Sequence, residues 1–75
     1  MDKRILRKRG GIMAFGENLK RIREEQSFEI QEIANYLGVR RETIWHWEKG
    51  KAKPRAKQVR ALAKLFKVSV KELTN

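Results

Sequence analysis

The apolar side chains of this chain recur every three or four residues, which is the spacing of amphipathic helices. The spacing predicts a first helix over residues 15–26 and a second over residues 30–37. The second pattern is the cleaner of the two, since its apolar positions all fall on one face. Gly38 follows it, and a glycine at that point can adopt the positive φ that commonly ends a helix.

A third helix is predicted over residues 41–49, and Gly50 is placed to end it. A rotation of about 100° per residue puts Ile44 and Trp47 together on one side of this helix. The opposite side is polar apart from one indole, and it carries Glu42, Trp45, His46 and Lys49, with Arg41 at its edge. We therefore expect one face to pack on the protein and the other to be available to a partner.

The helical spacing continues to the end of the chain, with a fourth helix predicted over residues 56–66 and a short fifth over residues 69–73. Pro54 lies in the loop before the fourth helix, and Ser69 and Glu72 have the spacing of a capping box. The chain has no strand-like alternation and no internal repeat. The predicted fold class is therefore all-α, a compact five-helix bundle.

The composition excludes several kinds of site. Cysteine is absent, and Asp2 and His46 are the only residues of their types. A catalytic triad or a histidine-rich metal centre therefore cannot be assembled within one chain, so we expect no enzyme activity, no metal and no cofactor. No apolar run approaches the roughly 18 residues of a membrane span. We expect a cytoplasmic protein, and nothing in the sequence indicates a small-molecule ligand.

The net charge of +10 is concentrated in parts of the chain. Residues 40–60 carry eight basic and two acidic side chains, and residues 1–12 carry five basic and one acidic. Residues 13–39, by contrast, have a net charge of −2. Clustering on the third helix and the loop after it is the electrostatic pattern expected for binding a polyphosphate. A basic surface that serves only solubility is the alternative.

In this order, the elements resemble the phage-repressor-type helix-turn-helix domain, the lambda-repressor-like or Cro/C1-type family. The resemblance covers nearly everything except the N-terminal tail, from Phe15 to about Leu73. It rests on the blocks 15–20, 33–34, 37–39, 43–44 and 47–51, on Pro54, and on the closing block 65–70. None of these blocks is specific alone, but all of them occur in order and at the family's spacing.

The resemblance implies that the third helix, as part of a helix-turn-helix, enters the major groove of double-stranded DNA. It implies base contacts from Arg41, Glu42 and His46. It implies DNA backbone contacts from Arg40, Thr43, Trp45, Lys49, Lys51, Lys53 and Arg55, in a basic track that extends to Lys57. The family also forms a structural ion pair, which in this chain would join Arg23 to Glu48.

Three features depart from the family's pattern. Family members usually begin the second helix with Ser or Thr followed by Gln, which cap the helix and hold a phosphate, whereas this chain has Glu29 and Ile30. A carboxylate there would repel a phosphate, so the usual phosphate clamp is not expected. Ser27 replaces the usual glycine after the first helix, and Trp45 stands where small polar residues are common.

Arg41 is the strongest candidate for reading sequence, because a guanidinium can donate two parallel hydrogen bonds to guanine O6 and N7. A plain phosphate contact is its alternative. Glu42 can accept a hydrogen bond from cytosine N4 or pair locally with His46, which is expected to point outward. Trp45 has three possible roles: stacking on a sugar, a cation–π pair with Arg41, or anchoring a protein partner.

Residues 1–12 form a basic tail, which we separate from a single domain over residues 13–75. We expect the tail to be disordered and of minor importance. Other interpretations are an arm that contacts DNA, a short amphipathic segment on a membrane surface, and leader sequence upstream of the folded domain.

The sequence as a whole predicts a sequence-specific double-stranded DNA-binding protein, a transcriptional regulator of bacterial or phage type. Such domains commonly bind two half-sites as dimers, so we expect a homodimer that forms through the C-terminal helices or only on DNA. Two alternatives remain open. One is a protein-interaction module on the same fold, such as an antitoxin or a coactivator-like bridge, and the other is a non-specific nucleic-acid binder.

Overall fold

The computed structural model describes residues 11–74, and the side chains from residue 15 onward. Within that range the chain forms five helices and no strand, which confirms the predicted all-α five-helix bundle. The helices are α1 (Gly11–Glu25), α2 (Ile30–Leu37), α3 (Arg41–Glu48), α4 (Ala56–Phe66) and α5 (Val70–Thr74).

The helix bounds follow the apolar pattern closely in the middle of the chain and less closely at its ends. Helices α2 and α4 have the predicted bounds, α3 ends one residue early, and α5 is shifted by one residue. Helix α1 begins at Gly11, four residues before the predicted start, because helical hydrogen bonding can propagate beyond the stripe that packs on the core. The expected boundary after residue 12 therefore falls inside α1, and the expectations for residues 1–10 lie outside the described residues.

The core is built from one face of each helix, as the spacing predicted. Leu19, Ile33, Ile44, Leu62 and Leu73 have no exposed surface, and each comes from a different helix. The remaining buried hydrophobic residues are Phe15, Ile22, Ala34, Trp47, Ala63 and Phe66. Because every helix contributes to a single cluster, α3 is held from behind by the rest of the domain.

The turn between α2 and α3 is short because Gly38 adopts the left-handed conformation, with φ of 73°. The Val39 amide then donates to the Ala34 carbonyl at 3.0 Å, and the Val39 side chain packs against the core. Gly50 ends the turn after α3 in the same conformation, with φ of 77°. Both glycines therefore act as the sequence predicted, and they limit α3 to about two turns.

Side-chain amides join distant parts of the chain. The Asn18 amide donates to the Leu73 carbonyl at 3.0 Å, and the Gln26 amide donates to the Phe66 carbonyl at 2.8 Å. Each bond satisfies a carbonyl at the end of a helix, α5 and α4 respectively. No helix in residues 11–74 is long and apolar enough to cross a membrane.

Candidate nucleic-acid interface

Helix α3 is fixed in the domain by a largely buried ion pair as well as by its apolar face. The Arg23 Nε donates to Glu48 Oε2 at 2.6 Å, and its Nη2 donates to Oε1 at 3.1 Å. The hydrogen bond that Arg23 donates to Glu48 is the main cause that raises the pKa of Arg23, against the opposing effect of burial. Arg23 also donates to the Phe28 carbonyl at 3.3 Å. The ion pair implied by the resemblance is thus present, and it joins the end of α3 to the α1–α2 turn.

Gly16 allows α1 to approach the carboxyl-terminal end of α3. A Cβ atom at Gly16 would lie 2.6 Å from the Glu48 carbonyl oxygen and 2.7 Å from that of Trp47. Real Cβ atoms do not approach backbone oxygens this closely, so any side chain here would displace α3. In the sequence, Gly16 was noted only as part of a family block. Its close packing could have been predicted, because a glycine inside a helix lowers helix stability and usually occurs where another segment approaches closely.

Two of the three expected base-contacting residues are exposed on the outer face of α3. Arg41 and Glu42 are exposed, and Arg40 is exposed immediately before them. His46 differs from expectation, because it is half-buried and its ring packs edge-to-face with Trp45 at 5.2 Å. Its Nδ1 is buried and finds no hydrogen-bond partner among the described residues. Only part of the imidazole is therefore available to a partner.

Trp45 is exposed over 42% of its surface, but its cationic neighbours are not the ones predicted. The Nζ atoms of Lys49 and Lys51 each lie 5.5 Å from the ring centroid, while no such contact to Arg41 is found among the described residues. Lys49 is one turn along α3, and the reversal at Gly50 brings Lys51 back toward the helix. The cation–π pair with Arg41, one of the three roles considered for Trp45, is therefore not formed, and the two lysines lie over the ring instead.

The start of α2 is acidic, as its sequence suggested. The Glu29 amide donates to Glu32 Oε1 at 2.7 Å, so a carboxylate occupies a position where a bound phosphate would find an amide donor. Glu29, Ile30 and Trp45 line one hollow together with Arg41. The carboxylates of Glu29 and Glu32 therefore oppose a phosphate at the start of α2, as the sequence predicts.

The remaining expected backbone contacts fall into two groups. Thr43 is half-buried on α3, between the core and the outer face. The cations after α3 are all exposed, and they are Lys49, Lys51, Lys53, Arg55 and Lys57. Arg55 and Lys57 also line a hollow with Tyr36 between the end of α2 and the start of α4. In residues 11–74 no cluster of three or more side chains suited to a metal ion occurs.

A family model described as a helix-turn-helix domain matches residues 16–75, which are most of the chain and include α2 to α5 and the greater part of α1. The chain belongs to the helix-turn-helix family. This match, together with the geometry of α2, Gly38 and α3, confirms the resemblance inferred from the sequence blocks.

Two curated relatives are transcriptional regulators by name. The transcriptional activator BcrR of Enterococcus faecalis is 33% identical over 61 residues, which are 81% of this chain and 30% of that protein. The cryptic phage CTXphi transcriptional repressor RstR of Vibrio cholerae is 33% identical over 61 residues, 81% of this chain and 55% of that protein. This chain thus spans at most about half the length of these relatives, the part that matches the helix-turn-helix domain.

A solved structure shares the arrangement of helices. The crystal structure of a transcriptional regulator from Listeria innocua superposes with a TM-score of 0.76 and 33% identity. The match covers 80% of this chain and 56% of that one. The helix-turn-helix fold of this chain is therefore supported by structural comparison as well as by sequence.

Proposed function

We propose that this protein is a sequence-specific double-stranded DNA-binding transcriptional regulator that reads the major groove with α3. The observation that carries the proposal is the division of α3 into a face buried in the core and an exposed face bordered by cations. Family membership supports it, and so do the regulators named among the relatives. Because one relative is named an activator and the other a repressor, the proposal is of a regulator in the general sense.

The proposed base contacts are Arg41 and Glu42, with the accessible edge of His46. The proposed backbone contacts are Arg40, Thr43, Trp45, Lys49, Lys51, Lys53 and Arg55. The backbone contacts would supply affinity that falls steeply as salt rises, because neutralised phosphates release counterions. The base contacts would supply the preference for one sequence.

We also propose that the protein forms a homodimer, either through the C-terminal helices or only on DNA. We propose that it acts in the cytoplasm and regulates by binding DNA, without a catalytic step. The support for a dimer is that helix-turn-helix domains commonly bind two half-sites as two-fold pairs. Sedimentation of the free protein and of its complex with a palindromic duplex measures this. A complex with one chain per duplex would contradict the dimer.

Selection of bound duplexes from a random pool tests the proposed function. Wild type should enrich one sequence, and Arg41→Ala should lose about 1–3 kcal/mol of discrimination at one base pair. Arg21→Ala is the matched control, since Arg21 is an exposed arginine on α1 that pairs with Glu25. Uniform weakening with an unchanged preference would assign Arg41 to the DNA backbone, and failure to enrich any sequence would contradict sequence-specific binding.

A further inference from the structure

The exposed Trp45 and the half-buried Ile30 line the same two hollows, whose other residues are charged or polar. We call these two side chains the apolar ridge. The first hollow also contains Arg23, Glu29, Gln31, Arg41 and Glu42. The second also contains Glu17, Lys20, Arg23, Glu48 and Lys49. Both hollows contain carboxylates as well as cations, and the exposed cations are Arg41 in the first hollow and Lys20 and Lys49 in the second.

The ammonium groups of Lys49 and Lys51 lie next to the indole of Trp45. Each lies 5.5 Å from the Trp45 ring centroid, within the range of a cation–π interaction, and both lysines are exposed. An ammonium has three donors, so contact with the ring leaves donors free for an anion. The side chains thus present an apolar surface in the middle and two anion-binding groups beside it.

The occupant must match that arrangement, apolar where it meets the indole and anionic where it meets the lysines. A deoxyribose between its two phosphates has this chemistry, and DNA repeats it at every nucleotide. We infer that Trp45 and Ile30 pack on a deoxyribose of one DNA strand while Lys49 and Lys51 bind the phosphates beside that sugar, an inference that rests on the proposed function. This contact takes the place of the phosphate clamp that Glu29 and Glu32 oppose at the start of α2.

The two halves of this contact respond differently to salt. Lysine–phosphate pairs release counterions, whereas packing of an indole on a sugar does not. Loss of a lysine should therefore weaken binding and flatten the dependence of affinity on salt. Loss of the indole should weaken binding equally at every salt concentration.

The experiment measures the affinity of the full chain for a duplex selected from a random pool, at four salt concentrations. Trp45→Ala should bind about tenfold more weakly with an unchanged salt slope, because exposed indole surface no longer leaves water. Lys49→Ala and Lys51→Ala should each reduce the slope by about 0.9. Arg21→Ala is the control, since Arg21 is an exposed residue on α1 that pairs with Glu25, and it should leave affinity unchanged.

Tryptophan fluorescence measures occupancy of the ridge directly. Trp47 is only 3% exposed, so quenching by acrylamide in the free protein reports mainly on Trp45. Saturation with the selected duplex should protect the indole from acrylamide, and Trp45→Phe should abolish this change while retaining most of the affinity.

Several outcomes would overturn the inference. One is acrylamide quenching that is unchanged in the saturated complex. Another is an affinity of Trp45→Ala within twofold of that of wild type. A third is a sequence preference of Trp45→Ala that is relaxed at one base pair, which would assign the indole to a base. In each of these cases wild type still binds a selected duplex, so the proposed function stands. If wild type binds no duplex at any salt concentration, the proposed function and the inference fail together.

Discussion

The two tryptophans of α3 are separated by one residue and have opposite environments. Trp47 is 3% exposed and packs in the core, whereas Trp45 is 42% exposed among lysines. Because α3 is only about two turns long, its stability and its proposed recognition use different faces of the same few residues. The comparison teaches that composition alone says little about a tryptophan here, while its position on the helix decides its role.

The largest effect that separates the two faces is expected from the tryptophans themselves. Trp47→Ala should lower the free energy of unfolding by about 3–5 kcal/mol, because it leaves a large cavity in the core. Trp45→Ala should change it by less than about 0.5 kcal/mol, as is usual for surface substitutions. Urea unfolding followed by circular dichroism measures both. Equal losses for the two variants would contradict the division of α3 into two faces.

The ion pair behind α3 gives the next largest effect. Glu48→Gln should cost about 1.5–3 kcal/mol of unfolding free energy, because it removes the charge that Arg23 meets in a largely buried site. The double variant Arg23→Met with Glu48→Leu should regain most of that loss, since no unpaired charge remains. If the double variant is less stable than Glu48→Gln, the ion pair itself contributes net stability to the fold, in addition to avoiding an unpaired buried charge.

A substitution at Gly16 should disturb the position of α3 without changing any residue of its exposed face. Gly16→Ala should cost about 1–2 kcal/mol, since the added Cβ overlaps the carbonyls of Trp47 and Glu48 and helix propensity returns only part of that loss. It should also weaken DNA binding under conditions where the protein is fully folded, because α3 must move. Gly38→Ala is the control, since its Cβ would meet nothing within 4 Å and its cost comes from the positive φ alone. Unchanged affinity of folded Gly16→Ala would show that α3 tolerates the shift.

The smallest expected effect is a gain. Ser27 has φ of 60°, a conformation that a residue with a side chain adopts at a cost. Ser27→Gly should therefore raise the free energy of unfolding by about 0.5–1 kcal/mol after the entropy lost by glycine is subtracted. DNA affinity should not change, since Ser27 lies outside α3. A loss of stability would mean that the serine side chain makes a contribution larger than the relief of strain.

Much of this protein could be predicted from the spacing of its apolar residues. The bounds of α2 and α4, the two glycine turns and the burial of Trp47 follow from helical periodicity and from the conformational freedom of glycine. The exposure of Arg41 and Glu42 follows as well, because a helix with one buried face must expose the other.

The errors share a physical cause. The approach of Lys51 to Trp45 and the contact at Gly16 each depend on how close a segment outside α3 approaches that helix. Asn18 and Gln26 were missed for the same reason, since their acceptors lie far away in sequence. Periodicity assigns a residue to a face but says nothing about the distance to its neighbours across the domain.

The sequence by itself determined that this chain forms a helical domain with a charged outer helix, because burial of apolar residues at a fixed spacing needs only local information. It also carried the family resemblance, because short blocks at fixed spacing are features of sequence. Only the tertiary structure decided that Lys51 borders Trp45 and that α1 reaches the backbone of α3 at Gly16. Those contacts depend on helix approach and on the path of the chain after Gly50, which are set by packing of the whole core.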